Sequence, residues 1–269
     1  MPFPSTTKED NMDDRIIDMH AHLWMWNPGI CRERILRTIE CYGVSQVYVS
    51  TLESHFPTPE TVEKMNFETH SFMKDYPQYI KGYVYISPEH ENAMYVLQKG
   101  IEQQGMTGVK IWVSERCDEP CVFPLAEKIM EYNVPLLIHA FKKSTNQQAP
   151  KESTSVNIRN LALRYPKLKI IMAHIDGNCY YGVPNIRDLE NVYVDISGTG
   201  SRAGDVEYTV KQLGGDRVLF GTDLSESSFA LPYGKVLGAR VTQETKEKIF
   251  YRNTLKLFDK SFVPGENND

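Results

Sequence analysis

The chain has 269 residues, 41% of them hydrophobic and 11% aromatic, with a formal net charge of −5. That is ample for one large core, and the acidic balance with no run of five basic residues excludes nucleic acid or an anionic membrane as the main partner. A small-molecule substrate is the expectation. No apolar stretch approaches the roughly 20 residues needed to cross a bilayer. The N-terminal MPFPSTTKEDNMDD lacks the apolar centre of a signal peptide, so a cytoplasmic protein is expected. The five cysteines, Cys31, Cys41, Cys117, Cys121 and Cys179, are odd in number and scattered, unlike a disulfide framework. Cys117 and Cys121 lack the partners of a zinc knuckle.

After the polar tail 1–14, β-branched and aromatic runs alternate with stretches of helical periodicity. RIIDMHAHL near 15–23 reads as the first strand, and CRERILRTIECYG, between Pro28-Gly29 and Gly43, as a helix. VSQVYVST near 44–51 is the second strand. The next helix has Thr58 as N-cap and Pro59 in its first turn, and it stops before Pro77. IKGYVYIS near 80–87 precedes a helix ending at Gly105, and MTGVKIWV near 106–113 precedes PLAEKIMEYN. VPLLIHA near 134–140 leads to SVNIRNLALRYP. KIIMAHI near 169–175 leads to GNCYYGVPNIRDLEN, which reads as a loop. VYVDISG near 192–198 is followed by DVEYTVKQLGG, and RVLFGTD near 217–223 is the eighth strand. QETKEKIFYRNTLKLF closes the pattern before a tail over 259–269. Eight strands, nearly every one followed by a helix, predict a single (β/α)8 TIM barrel over 15–258. A doubly wound open sheet would carry a Gly-rich phosphate turn after its first strand, and HAHLWMWNPG is not one.

The site of such a barrel forms at the C-terminal ends of its strands. Four of the seven histidines stand at three of those ends: His20 and His22 on the first, His139 on the fifth, His174 on the sixth. Asp223 ends the eighth. His20 and His22 lie two apart and share a strand face, with Asp18 one step below. A lone histidine at a strand end is ordinarily a rim residue. Five ligand-type residues on one rim point instead to a divalent ion, with zinc favoured and manganese or iron as alternatives. Trp24, Trp26, Trp112 and Phe141 are candidates for an apolar substrate wall. Arg116, Arg187 and Arg202 are candidates for holding a carboxylate. Asp176, Asn178, Ser197 and Thr199 fall on rim loops, Asp18 reads as support beneath a metal, and Cys179 as a buried filler. No Gly-x-Ser-x-Gly elbow argues for serine chemistry.

DMHAH, LLIHA, IMAHIDG and LFGTD, with GVKIW on the fourth strand and the closing IFYRNTLKLF, together resemble the amidohydrolase superfamily. The likeness is to its amidohydrolase-related branch and runs over about residues 15–258. That branch holds dihydroorotase-like hydrolases, lactonases and metal-dependent decarboxylases such as aminocarboxymuconate semialdehyde decarboxylase. The resemblance implies that His20, His22 and His139 ligate a metal. Asp223 would be a further ligand and the proton acceptor for metal-activated water. His174 would bind a second ion or contact water and substrate. Lys110 has three readings: a carboxylated lysine bridging two ions, as in binuclear relatives, a cation for a substrate carboxylate, or a barrel lysine paired with an acid such as Asp195. The function implied first is hydrolysis of an amide, lactone or related carbonyl bond by metal-activated water. The alternative is non-oxidative decarboxylation of a small aromatic or unsaturated carboxylic acid, with one or two ions. A non-catalytic binding barrel would show a broken ligand set, and all five positions are filled. Aromatic-rich surface helices such as NAMYVLQ permit a homodimer.

Overall fold

The computed structural model describes residues 15–144, 146–198, 200 and 202–265. Eight parallel strands follow one another in chain order: β1 (Ile17–Trp24), β2 (Gln46–Leu52), β3 (Ile80–Tyr85), β4 (Gly108–Ile111), β5 (Leu136–Ile138), β6 (Ile170–Met172), β7 (Val192–Asp195) and β8 (Val218–Leu219). The ring closes between the first and last strands. Met19 N–H donates to Phe220 O at 3.0 Å and Asp223 N–H donates to His20 O at 2.8 Å. The connections carry α1 (Pro28–Tyr42), α2 (Pro59–Asp75), α3 (Ala93–Gln98), α4 (Phe123–Tyr132), α5 (Ser155–Arg164), α6 (Cys179–Ile186), α7 (Asp205–Leu213), α8 (Ala230–Gly238), α9 (Gln243–Glu247) and α10 (Asn253–Phe258). This is the (β/α)8 barrel expected. The strands are buried on both faces, which is why they read as near-continuous Val, Ile, Leu and Tyr runs.

Local chemistry sets most boundaries. The Asn27 side chain accepts Ile30 N–H and Pro28 opens α1, while Gly43 at φ 67° ends it. The Thr58 side chain accepts Thr61 N–H and Pro59 opens α2. Two connections depart from expectation. GNCYYGVPNIRDLEN contains the helix α6, capped by Asn178, whose side chain accepts Tyr180 N–H. Burial of Val183 and Ile186 outweighs Gly182 and Pro184, which suggested a loop. The additional helix α8 follows the eighth strand, and the closing segment divides into α9, a wide turn over Lys248–Arg252, and α10.

In β1 the register slips by one residue between Asp18 and Ala21, a bulge that bends the strand just where it carries His20. Tyr83 fills the interior below and donates its hydroxyl to Met19 O at 2.7 Å. Helix α2 is pinned to β3 by Asn66, whose amide bonds both Tyr85 N–H (2.8 Å) and Tyr85 O (2.9 Å). Asn66→Ala strands both buried backbone groups. It should lower stability by about 1–3 kcal/mol, read as a lower urea midpoint with an unchanged slope.

Candidate metal centre

The rim brings His20, His22, His139 and His174 together, and their hydrogen bonds fix which ring nitrogens carry protons. His20 Nδ1 lies 3.0 Å from Asp195 Oδ2, and an ionised carboxylate can only accept. His22 Nδ1 lies 3.2 Å from the Ser50 carbonyl, again acceptor-only, and 2.9 Å from Ser50 Oγ. His139 Nε2 lies 2.8 Å from Glu152 Oε1. His174 Nδ1 lies 2.9 Å from Ser197 Oγ, which gives its own proton to Asp195 Oδ1 and so accepts from the imidazole. With that proton placed, the other nitrogen of each ring is left to accept through its lone pair, and the one on His20 has Lys110 Nζ 3.3 Å away. Those lone pairs face one another: His20 Nε2 and His22 Nε2 are 2.9 Å apart, His139 Nδ1 and His174 Nε2 3.2 Å apart.

Facing acceptors repel unless something positive stands between them. Asp223 Oδ1 completes the first pair, 3.4 Å from His22 Nε2 and 3.9 Å from His20 Nε2. Donors about 2.1 Å from one ion lie about 3.0–3.4 Å apart for angles between right and tetrahedral. The 2.9 and 3.4 Å separations match that spacing and the 3.9 Å one is about half an ångström wider, so a small inward shift of the Asp223 carboxylate brings the three onto one divalent ion; they are one of two potential ligand groups among the described residues. The other, His20, His174 and Asp195, reads as the supporting network. Asp195 is enclosed by donors from His20 Nδ1, Ser197 N, Ser197 Oγ and His174 N. His139 belongs to neither group; its Nε2 faces Glu152 and its Nδ1 faces His174.

Lys110 is fully buried with Nζ 3.3 Å from His20 Nε2, so it stands beside the donor group rather than against Asp195. Burial pulls its pKa down to about 8, with Asp223 and Asp195 pulling it back up. Burial likewise holds His22 well below the usual imidazole value, lowers His139 and takes His174 to about 3. Burial opposes the charge on Asp223, but His174, His20, His22 and Lys110 prevail and hold it well below the carboxylate range. Asp18 lies beneath, as expected. It accepts from Thr222 Oγ1 (2.5 Å), Thr222 N–H and His20 N–H, tying the eighth strand to the first, and burial raises it to about 7 against those bonds.

The backbone is strained where it presents these groups. His174, Ile175 and Asp176 lie at φ 62°, 46° and 55°, and Asp223 at φ 61°. Such conformations cost of order 1–3 kcal/mol each and persist when the surroundings over-determine them. Here Ser155 N–H donates to Asp176 Oδ2, Lys142 N–H to Asp176 O, and Arg202 to Gly177 O at 2.7 Å. Gly198, at φ 64°, packs so closely that a Cβ there would come within 2.3 Å of His174 Nδ1.

Other candidates are distributed more widely. Trp24 and Trp112 meet edge to face at 5.7 Å, Trp24 also against His22 and Trp112 against His55. The Trp24 Nε1–H is buried with no acceptor among the described residues. Phe141 stacks on His139 and leans on His174. Trp26 is 68% exposed and walls nothing, a correction to its expected place. Arg116 is engaged by Glu119, and Arg202 by Gly177 O and Asp205. Arg187 meets Arg217 through its backbone carbonyl. Cys179 is a buried filler beside Asp205, its thiol pushed up to about 12 by burial. Thr199 lies outside the described residues. Ser50 and Glu152 went unforeseen: neither stands in a motif, and only tertiary pairing brings them to the imidazoles.

A (β/α)8 barrel with a histidine–aspartate centre on its C-terminal rim defines a class, and the comparisons give the family. The chain belongs to the amidohydrolase family, whose model matches residues 17–260. No curated protein sequence matches it. Among solved structures it is similar to a dihydroxybenzoic acid decarboxylase from Polaromonas sp. JS666 with bound manganese and 2-nitroresorcinol. That match has TM-score 0.73 and 17% identity and covers 92% of this chain and 98% of that one. It is also similar to a 5-carboxyvanillate decarboxylase from Sphingomonas paucimobilis (TM-score 0.70, 16%, covering 91% and 98%). A third is a putative amidohydrolase from Staphylococcus aureus (TM-score 0.75, 16%, covering 91% and 99%). No helix among the described residues is long and apolar enough to cross a membrane.

The depressed imidazoles set a pH dependence. Below about pH 6.5 the unfolded chain protonates His22, His139 and His174, whereas the folded state holds them neutral. The unfolded state therefore binds more protons, and stability falls as pH drops below that value. Metal-free protein should lose melting temperature steadily from pH 7 to 5, and the triple replacement of these histidines by Asn should flatten that slope.

Proposed function

We propose that this chain is a metal-dependent carboxy-lyase that removes carbon dioxide from a small aromatic carboxylic acid without a redox step. The observation that carries the reading is the unpaired, buried Trp24 indole N–H beside the convergent imidazoles. A buried donor without an acceptor is costly, and a planar ligand bearing an oxygen would satisfy it. Trp112 on one flank and Phe141 on the other offer the flat walls such a ring packs against. Support also comes from the decarboxylases among the similar structures.

A divalent ion held by His20, His22 and Asp223, manganese or zinc, would supply positive charge to the oxygens of the ligand. The chain's own groups do the rest. Lys110 adds a buried positive charge next to His20 and offsets the charge of a carboxylate entering the site. Asp223 is the member of the donor group open to solvent, its side chain 23% exposed. With Oδ1 turned to the imidazoles, its Oδ2 takes a proton from water, whose hydroxide passes to solvent, and gives it to the ring carbon that carries the carboxylate. The carbon–carbon bond then breaks, its electron pair stays with the ring, and carbon dioxide leaves. His174 and His139, held neutral, neither compete for that proton nor add charge. The hydrolytic reading keeps one supporting observation: an ionised Asp223 is equally suited to take a proton from water attacking a carbonyl.

The test is a panel of hydroxybenzoic and methoxylated aromatic acids, given to manganese-reconstituted protein in deuterated water. Carbon dioxide release with one deuterium at the vacated ring position is expected for at least one acid. Trp24→Phe should raise KM about tenfold, the loss of one hydrogen bond of about 1.4 kcal/mol, with a smaller effect on kcat. Cleavage of amides or lactones with no release from any acid would replace this reading by hydrolysis.

A further inference from the structure

Between β5 and α5 the chain makes an excursion over residues 141–153, whose described residues form no helix. It returns to its starting point. Ala140 and Ser153 form a bridge, and Phe141 N–H donates to Ser153 O at 3.1 Å. Compact loops with joined ends are held together by their own side chains. Here the hub is Glu152, whose side chain is 1% exposed. It accepts from Lys143 Nζ (2.7 Å), from Gln148 Nε2 (2.9 Å) and from Ala149 N–H (3.2 Å). Gln148 in turn accepts Lys143 N–H and donates to Phe141 O. The residue before it, Lys151, latches the loop to its neighbours, 2.9 Å from Glu115 and 2.5 Å from Glu89.

The same carboxylate accepts His139 Nε2–H at 2.8 Å. Of the four rim imidazoles, His139 is the one whose proton is fixed by a carboxylate that also ties a loop together. His20 is fixed by Asp195 of β7 and His22 by the carbonyl of Ser50 in β2. His174 is fixed by Ser197, two residues past β7.

We propose that Glu152 is a positioning residue. Through it the loop over 141–153 holds His139 as its Nε2–H tautomer, with the Nδ1 lone pair turned to His174. The order of the loop and the availability of His139 as a donor are one event, because the carboxylate that folds the loop also orients the ring. The inference rests on reading the imidazole cluster as a metal centre, and by linkage a cation that uses His139 Nδ1 also orders the loop.

The experiment uses 15N-histidine-labelled full-length protein, metal-free and loaded with Zn2+, whose diamagnetism keeps ring signals visible. Wild type should show His139 as a single Nε2–H tautomer, and Zn2+ should slow tryptic cleavage after Lys142, Lys143 and Lys151. Glu152→Ala should mix the His139 tautomers, speed that cleavage about tenfold and weaken Zn2+ binding by about 10–100-fold. Lys143→Met alters neither His139 nor Glu152 but removes a donor that holds the Glu152 carboxylate. It should mix the tautomers measurably as that carboxylate loosens with the loop, and it keeps the question open to test if the first variant does not fold. A His139 tautomer that stays single while the loop is cleaved faster would overturn the proposal. So would equal protection by Zn2+ in wild type and Glu152→Ala. If wild type binds no Zn2+ yet the tautomer follows the loop in both variants, the positioning role stands and the metal reading fails.

Discussion

Two imidazole nitrogens that can only accept, His20 Nε2 and His22 Nε2, face each other 2.9 Å apart on the barrel rim. Nothing in their rings makes that favourable. It holds because each ring's outer nitrogen is committed to an acceptor, Asp195 for His20 and Ser50 for His22. Once those bonds are fixed, the inner lone pairs have no choice of direction. The same logic turns His139 and His174 toward each other through Glu152 and Ser197. Asp223, held well below the usual carboxylate range, is the negative group that makes a cation welcome beside these lone pairs.

Much of the remaining structure serves this constraint at a cost in stability. A run of left-handed residues from His174 to Asp176 and the left-handed Asp223 would relax elsewhere in a chain. The run is held by contacts from three directions, the start of α5, the loop after β5 and the Arg202 guanidinium, and Asp223 by its N–H bond to His20 O. Three imidazoles are kept from protons they would take up in water, and a lysine is buried beside them. The barrel can carry these penalties because its strands bury apolar side chains on both faces, away from the rim.

The barrel and the rim histidines were legible because strand parity and strand ends are properties of local sequence. Val, Ile and Tyr runs at regular intervals specify eight strands, and His20 and His22 two apart specify a shared face. The partners that orient those rings were not all legible. Ser50 and Glu152 reach the imidazoles only through tertiary pairing, 28 and 13 residues from the histidines they hold. Helix α6 was obscured by Gly182 and Pro184, whose local preferences are overridden by burial of Val183 and Ile186. Trp26 looked like Trp24 in sequence, yet the turn before α1 sends it to solvent. Lys110 kept three readings in sequence, and its place beside His20 speaks against the one paired with Asp195, while a carboxylated lysine and a cation for substrate share that position.

The central claim is that His20, His22 and Asp223 hold one divalent ion. The most direct measurement is elemental analysis of chelator-stripped protein after equilibration with manganese or zinc and removal of free ion, beside Asp223→Asn. The account predicts one tightly held ion per chain in wild type, lost in a variant that keeps its circular dichroism spectrum. A folded wild-type protein that takes up no ion, or a variant that retains it in full, would contradict the account.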